Sequence, residues 1–199
     1  MMAACATPQL GSTPTASSVA VQPGDVPKTM HRCAISGDIN AYLDSLKGKD
    51  PTTYKSTNAQ WTDAQGKGAT AAQVVFYTDS DANCASAAST VANISGAAYP
   101  LVVNFTIQFK DEQSAASGYS SGQIFGIDRT MLKANDAPVV EGTKTGLGSN
   151  SIVLSTSILN QSFYIAVWQN KAFMVILGLI NLDSATGQKV AASENKRIT

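Results

Sequence analysis

Gly118-Tyr119-Ser120-Ser121-Gly122 has the GxSxG spacing of a nucleophile elbow. In that motif a strained turn between a strand and a helix lifts a serine hydroxyl toward substrate. The chemistry then needs an acid and a histidine later in the chain. The single histidine is His31, far upstream, and the segment before Ser120 does not read as a strand, so the match is a coincidence of Gly and Ser content. His31 lies close to Cys33, but a Cys–His nucleophile pair needs a free thiol. Asp79-Ser80-Asp81-Ala82-Asn83 opens like a calcium loop and then fails: Cys84 and Thr90 stand where Gly and Glu are required. Its acids are read as helix caps. Gly66-Lys67-Gly68-Ala69-Thr70 lacks the spacing of a phosphate loop and reads as a turn. Asp111, Glu112, Asp128 and Glu141 keep a hydrolase open as an alternative, provided two of these carboxylates converge in one pocket. With no nucleophile–base pair, metal cluster or nucleotide loop, the sequence predicts a protein that is not an enzyme and that uses no metal or cofactor.

The cysteines are three, Cys5, Cys33 and Cys84, too dispersed for a zinc site. Cys33 and Cys84 lie within the expected folded region and are expected to form a disulfide; two reduced thiols in a cytosolic protein are the alternative. Such a bridge closes a long loop and stabilises by at most about 4 kcal/mol. Residues 6–27, ATPQLGSTPTASSVAVQPGDVP, contain one acid, no base and no aromatic. A segment of that composition is expected to be a flexible tether. The division expected is therefore residues 1–27 as an N-terminal tether and 28–199 as a single domain.

Met2-Ala3-Ala4-Cys5 resembles a lipobox, in which small residues precede the lipidated cysteine, and the tether after it resembles the start of a mature bacterial lipoprotein. The resemblance implies that Cys5 is acylated and that the partner is a membrane, reached through an N-terminal lipid anchor. The basic and apolar regions of a signal peptide are absent from the printed chain. The location implied is extracytoplasmic and membrane-anchored, or secreted if Cys5 carries no lipid; disulfide formation suits the same compartment. The longest apolar run is Ala172–Ile180, well short of the roughly twenty residues a membrane-spanning helix needs. A formal net charge of zero, with 14% charged residues, gives no basic field for nucleic acid.

The elements that must position any site read as follows. Ile39, Tyr42, Leu43 and Leu46 share one helical face, with Ser36 expected as the cap and Gly48 and Pro51 as the stop. Residues 53–64, with Tyr54 and Trp61, and residues 70–78 are read as two strands. A helix follows over 81–95. In 101–109, Val103, Phe105, Ile107 and Phe109 alternate with Asn104, Thr106 and Gln108, the pattern of a half-buried strand. KDEQSAASGY is read as a short helix. Residues 120–149 are irregular. SIVLSTSI, SFYIAVWQ and AFMVILGLINL are three strands, the last two joined by Gln169-Asn170-Lys171, and a helix over 183–197 ends the chain. The last strand is apolar on both faces and is expected to sit centrally. The fold class expected is α+β: an antiparallel sheet of six or seven strands against two to four helices.

The ending GLGSNSIVL, then strand, turn, apolar strand and helix, is similar to the extracytoplasmic domains of bacterial cell-envelope lipoproteins and sensor proteins, over the last third of the chain. That similarity implies an external domain, often ligand-binding. Two functions are expected: binding or sensing of a small ligand, or a structural or assembly module contacting another envelope protein. Trp61, Tyr77, Trp168 and Phe173 are candidate groove aromatics. The ligand site is expected between the Gly-rich stretch 120–149 and the final hairpin, with Trp168 and Tyr164 as contacts.

Overall fold

The computed structural model describes residues 13–89, 91–121, 123–124, 127–128, 132–133 and 138–198. Cys5 lies outside them. The strands in chain order are β1 (His31–Arg32), β2 (Gly37–Asp38), β3 (Ala69–Thr78), β4 (Leu101–Phe109), β5 (Gln123–Ile124), β6 (Ile127–Asp128), β7 (Val139–Glu141), β8 (Ser151–Ile158), β9 (Gln161–Asn170) and β10 (Phe173–Ile180). The helices are α1 (Ala16–Val19), α2 (Ile39–Lys47), α3 (Pro51–Gly66), α4 (Asp81–Ser89), α5 (Glu112–Ser120) and α6 (Ser184–Lys196).

The protein is α+β. Its main sheet has 8 strands in the order β1-β3-β4-β10-β9-β8-β7, with β2 also on β3. Every pairing is antiparallel. β5 and β6 form a separate hairpin. The eighth strand beyond the expected six or seven comes from the two-residue pieces β1 and β2, which line the same edge of β3. Helices exceed the expected two to four because α1 and α3 were not recognised in the sequence.

β10 is central, between β4 and β9, and both of its faces are buried as its composition demands. One face of the sheet packs with α2, α3, α4 and α5 in a cluster that includes Tyr42, Leu46, Trp61, Phe76, Ile107 and Ile176. The other packs with the N-terminal segment and α6 in a cluster that includes Val19, Val21, Tyr77, Trp168, Leu177 and Val190. The sheet is thus covered on both sides.

Residues 53–64 are helix, not strand. Asp50 caps α3, its side chain accepting from the Thr53 backbone N–H at 3.0 Å, and Pro51 occupies the first turn, where its missing N–H costs nothing. Pro51 therefore starts a helix as well as following one. Thr53, Thr57, Trp61 and Ala64 are buried at helical spacing. The cap of α2 is Asp38, which accepts from the Asn40 and Ala41 N–H groups. Ser36 instead serves the edge of the sheet: the Phe76 N–H donates to its hydroxyl at 2.9 Å. The expected helix over 81–95 divides into α4 and a 3-10 turn at Val91–Gly96. The turn between β9 and β10 is Lys171-Ala172, set by the Asn170–Phe173 pair, and lies further along the chain than expected.

Residues 13–27, read from composition as part of a flexible tether, are packed against the domain. Val19, Ala20, Val21, Val26 and Met30 are all buried. Arg197, just after α6, holds this segment down: its guanidinium donates to the Val19 and Ala20 carbonyls and forks onto both carboxylate oxygens of Asp25, at 3.0 and 2.7 Å. Spaced apolar anchors and one arginine thus order a Pro- and Ser-rich segment, and the folded unit includes residues 13–27.

Cys33 and Cys84 form the expected disulfide, with Cα atoms 5.3 Å apart. It ties the β1–β2 edge to α4. No helix among the described residues is long and apolar enough to cross a membrane.

Candidate functional site

An apolar groove of about 490 Å³ opens on the α3 face of the sheet. Its floor is made by four adjacent strands in the order β3-β4-β10-β9. Period-two alternation puts Phe76, Val103, Phe105, Ile176, Phe163 and Ile165 on this floor. Val103, Phe105, Phe163 and Ile165 are only half-buried, although a strand interior would normally be covered. Gly178 sits among them, opposite Val103 on β4 and Ile165 on β9. A glycine inside an apolar strand marks either a bulge or a place where something approaches the backbone. The pairing of β10 runs without a register shift through Gly178, so no bulge accounts for it, and the space above its backbone is open.

The wall of the groove is α3, which presents Thr52, Thr53, Ser56, Thr57 and Gln60. Ile94 and Ser95 of the 3-10 turn and Tyr42 of α2 also line it. The floor is therefore hydrocarbon and the wall hydroxyl. No Asp, Glu, Lys, Arg or His is among the described lining residues. Burial, and secondarily the Asp50 carboxylate, push the Tyr42 hydroxyl well above the usual phenol range, so it is neutral. The site can hold an apolar body against the sheet and hydrogen-bond one edge of it.

The expected contacts Trp168 and Tyr164 are not in this groove. Both are fully buried on the opposite face, under α6. Gly187 of α6 lies against the Tyr164 ring; a Cβ there would meet its Cδ2 at 2.7 Å. Burial pushes the Tyr164 hydroxyl up to about 12. Trp168 Nε1 is buried without a hydrogen-bond partner among the described residues. Tyr77 and Phe173 share that interior, and Trp61 is buried on the inner face of α3 without being among the groove's lining residues. The groove thus lies on the other side of the sheet from Trp168, Tyr164, Tyr77 and Phe173. The part of the Gly-rich stretch that is described at Leu147 is packed into the Trp168 cluster; residues 122, 125–126, 129–131 and 134–137 lie outside the described residues.

The other motifs have local explanations. Ser120 ends helix α5 and no strand precedes it, so GxSxG is not an elbow here; Gly118 instead lets α5 rest on the Phe109 ring. Asp79 accepts from Asn83 Nδ2 at 2.7 Å, and Asp81 bonds His31 at 3.0 Å. Asp111 caps α5 and Glu141 pairs with Lys133. Neither acid lines the groove.

No protein-family model matches the chain, and no curated protein matches it. Among solved structures, the fold resembles that of the extracellular domain of PknH from Mycobacterium tuberculosis. The likeness has a TM-score of 0.50, covers 91% of this chain and 93% of that one, and holds at 11% sequence identity. It is a likeness of fold. Over nearly the whole length of both chains, the strand and helix order is accommodated in an architecture already seen in an extracellular domain.

The sequence contains a signal for this groove. Gly178 interrupts the run Phe173–Ile180, otherwise entirely apolar, and a glycine there weakens a strand unless the space is used.

Proposed function

We propose that the chain is an extracytoplasmic binding domain without catalytic activity, whose groove on the α3 face takes a small apolar ligand. The observation that carries this reading is the floor itself. Phe105, Phe163, Ile165 and Val103 remain half-exposed on a central, otherwise buried sheet, around a glycine that leaves room above the backbone. Leaving that apolar area in water forgoes about 25 cal/mol for each Å² that a ligand would cover. A concave, mostly apolar site with a few polar groups on one side is the usual form of a small-molecule site.

The external location is supported by the Cys33–Cys84 disulfide, by the extracellular origin of the structural neighbour and by the lipobox-like Ala3-Ala4-Cys5. Acylation of Cys5 and anchoring in a membrane belong to the same proposal. Mass spectrometry of protein recovered from native membranes tests it. Acylated Cys5 with oxidised Cys33 and Cys84 is expected; unmodified Cys5 with two free thiols contradicts it.

The ligand reading is tested by titrating the neutral fluorophore N-phenyl-1-naphthylamine and following backbone amide NMR shifts. Perturbations centred on Val103, Phe105, Ile165 and Gly178 are expected. Perturbations centred on Trp168 and Tyr164, or none, contradict the assignment.

A second reading, assembly with another envelope protein, is favoured by the β8–β9 turn. Leu159 there is 94% exposed at a φ of 50°, and Ile158 is 56% exposed. A bulky residue held at positive φ in full exposure is costly without a purpose. Replacement of both by Ser should abolish co-purification with an envelope partner under this reading and leave fluorophore binding unchanged.

A further inference from the structure

We infer that the groove selects an uncharged amphiphile of medium chain length, with a hydroxyl-bearing head on the α3 wall and its alkyl part along the sheet floor. This inference rests on the binding reading above and adds the chemical class of the ligand. Three observations support it.

The first is the absence of charge. Among the described residues, no ionisable side chain of either sign lines the groove apart from the neutral Tyr42. A carboxylate, phosphate or ammonium brought into the groove would lose hydration and find no counter-charge, a penalty of several kcal/mol for a group that stays ionised.

The second is the state of the wall hydroxyls. Thr53 Oγ1 donates to Asp50 Oδ2 at 2.6 Å, and Ser56 Oγ donates to the Thr53 carbonyl at 3.2 Å. Both protons are committed to the protein, so the oxygens of these two side chains meet a ligand as acceptors. The matching ligand group is a donor. An uncharged donor compatible with an apolar body is a hydroxyl. An ester or ether oxygen, which can only accept, gains nothing from Thr53 or Ser56.

The third is the shape of the floor. The lining residues run across β3, β4, β10 and β9, three inter-strand spacings, or about 14 Å. That is longer than a single aromatic ring. α3 packs on β3, and Gly178 lies two strands away on β10, so the bare backbone lies under the alkyl part and not under the head.

The test is competition against N-phenyl-1-naphthylamine on the full chain, using decan-1-ol, monodecanoylglycerol and decanoate at pH 8 and pH 6. The expected result is that decan-1-ol and monodecanoylglycerol displace the fluorophore at least tenfold more tightly than decanoate at pH 8. The affinity of decanoate should rise at pH 6, as more of it becomes the neutral acid, while that of decan-1-ol stays level. Ser56→Ala, an exposed position on α3, should weaken decan-1-ol several-fold more than it weakens the fluorophore. Displacement by decanoate at pH 8 as tight as by decan-1-ol overturns the ligand class and leaves the groove as a binding site. An unchanged decan-1-ol affinity in Ser56→Ala overturns the placement of the head on α3. A fluorophore that does not bind the wild-type protein overturns the binding reading itself, and this inference with it.

Discussion

Glu194 on α6 and Thr106 on β4 meet in the interior, with the carboxylate Oε1 2.7 Å from the Thr106 hydroxyl. Asn104 Nδ2 donates to both carboxylate oxygens, at 3.0 and 3.1 Å, and Asn104 Oδ1 accepts from the Val21 N–H. Glu194 thus joins α6, the sheet and the N-terminal segment in one buried network. Burial pushes its carboxyl up to about 8, against the lowering effect of Thr106, Asn104 and the nearby Arg197. A protonated Glu194 can donate to Thr106, and the Thr106 proton is then free for Asn104 Oδ1, 3.1 Å away.

The pH dependence of stability follows from that shift. Between about pH 4.5 and 8 the folded protein holds a proton that the unfolded chain has released. This contribution is therefore full below the lower value and is lost as pH rises through the window, by up to about 1.4 kcal/mol per pH unit. Glu194→Gln preserves the hydrogen bonds without the titration. Urea denaturation should show it gaining on the wild type steadily from pH 5 to pH 8. Two parallel stability curves would remove Glu194 as the titrating group.

Arg197 binds Asp25 through a two-pronged contact and also satisfies the Val19 and Ala20 carbonyls. Its removal leaves Asp25, whose side chain is 9% exposed, without its counter-charge. Arg197→Ala is expected to cost about 3 kcal/mol and to expose bonds near Thr15 to limited proteolysis. A variant with wild-type stability and an uncut N-terminal segment would show that the segment is held by its apolar anchors alone.

Trp168 presents the opposite case. Its Nε1 is buried without a partner among the described residues, so replacing the indole removes no hydrogen bond. Trp168→Phe should cost less than about 1.5 kcal/mol in chemical denaturation, because relief of the unpaired N–H offsets part of the lost volume. Loss of fluorophore binding in this variant, with the fold intact, would return Trp168 to the ligand site.

Legibility from sequence followed contrast. The α2 face of Ile39, Tyr42, Leu43 and Leu46 and the central position of β10 were readable, because their apolar patterns leave few alternatives. α3 was not, since its buried face includes Thr53 and Thr57, and Thr-rich segments containing Tyr and Trp imitate strands. On β4, Asn104 and Thr106 looked like a solvent face; they are fully buried, because Glu194, ninety residues away from Asn104 in sequence, supplies their partner. Trp168 and Tyr164 lie away from the groove for a related reason. An aromatic on a strand faces one side of the sheet or the other, and which side is covered depends on where α6 docks. Trp168 and Tyr164 share the side that α6 closes, while Phe163 and Ile165, their neighbours in β9, face the groove.

The most direct test of the groove is Gly178→Val. A Cβ at Gly178 would have the Val103 carbonyl oxygen as its nearest neighbour, at 3.9 Å, so the side chain enters the open floor without a clash. Valine also suits a strand better than glycine. The variant should keep or raise the midpoint of chemical denaturation and lose at least tenfold in affinity for N-phenyl-1-naphthylamine. A well-folded Gly178→Val protein that binds the fluorophore as tightly as the wild type would contradict the assignment of the groove as the ligand site.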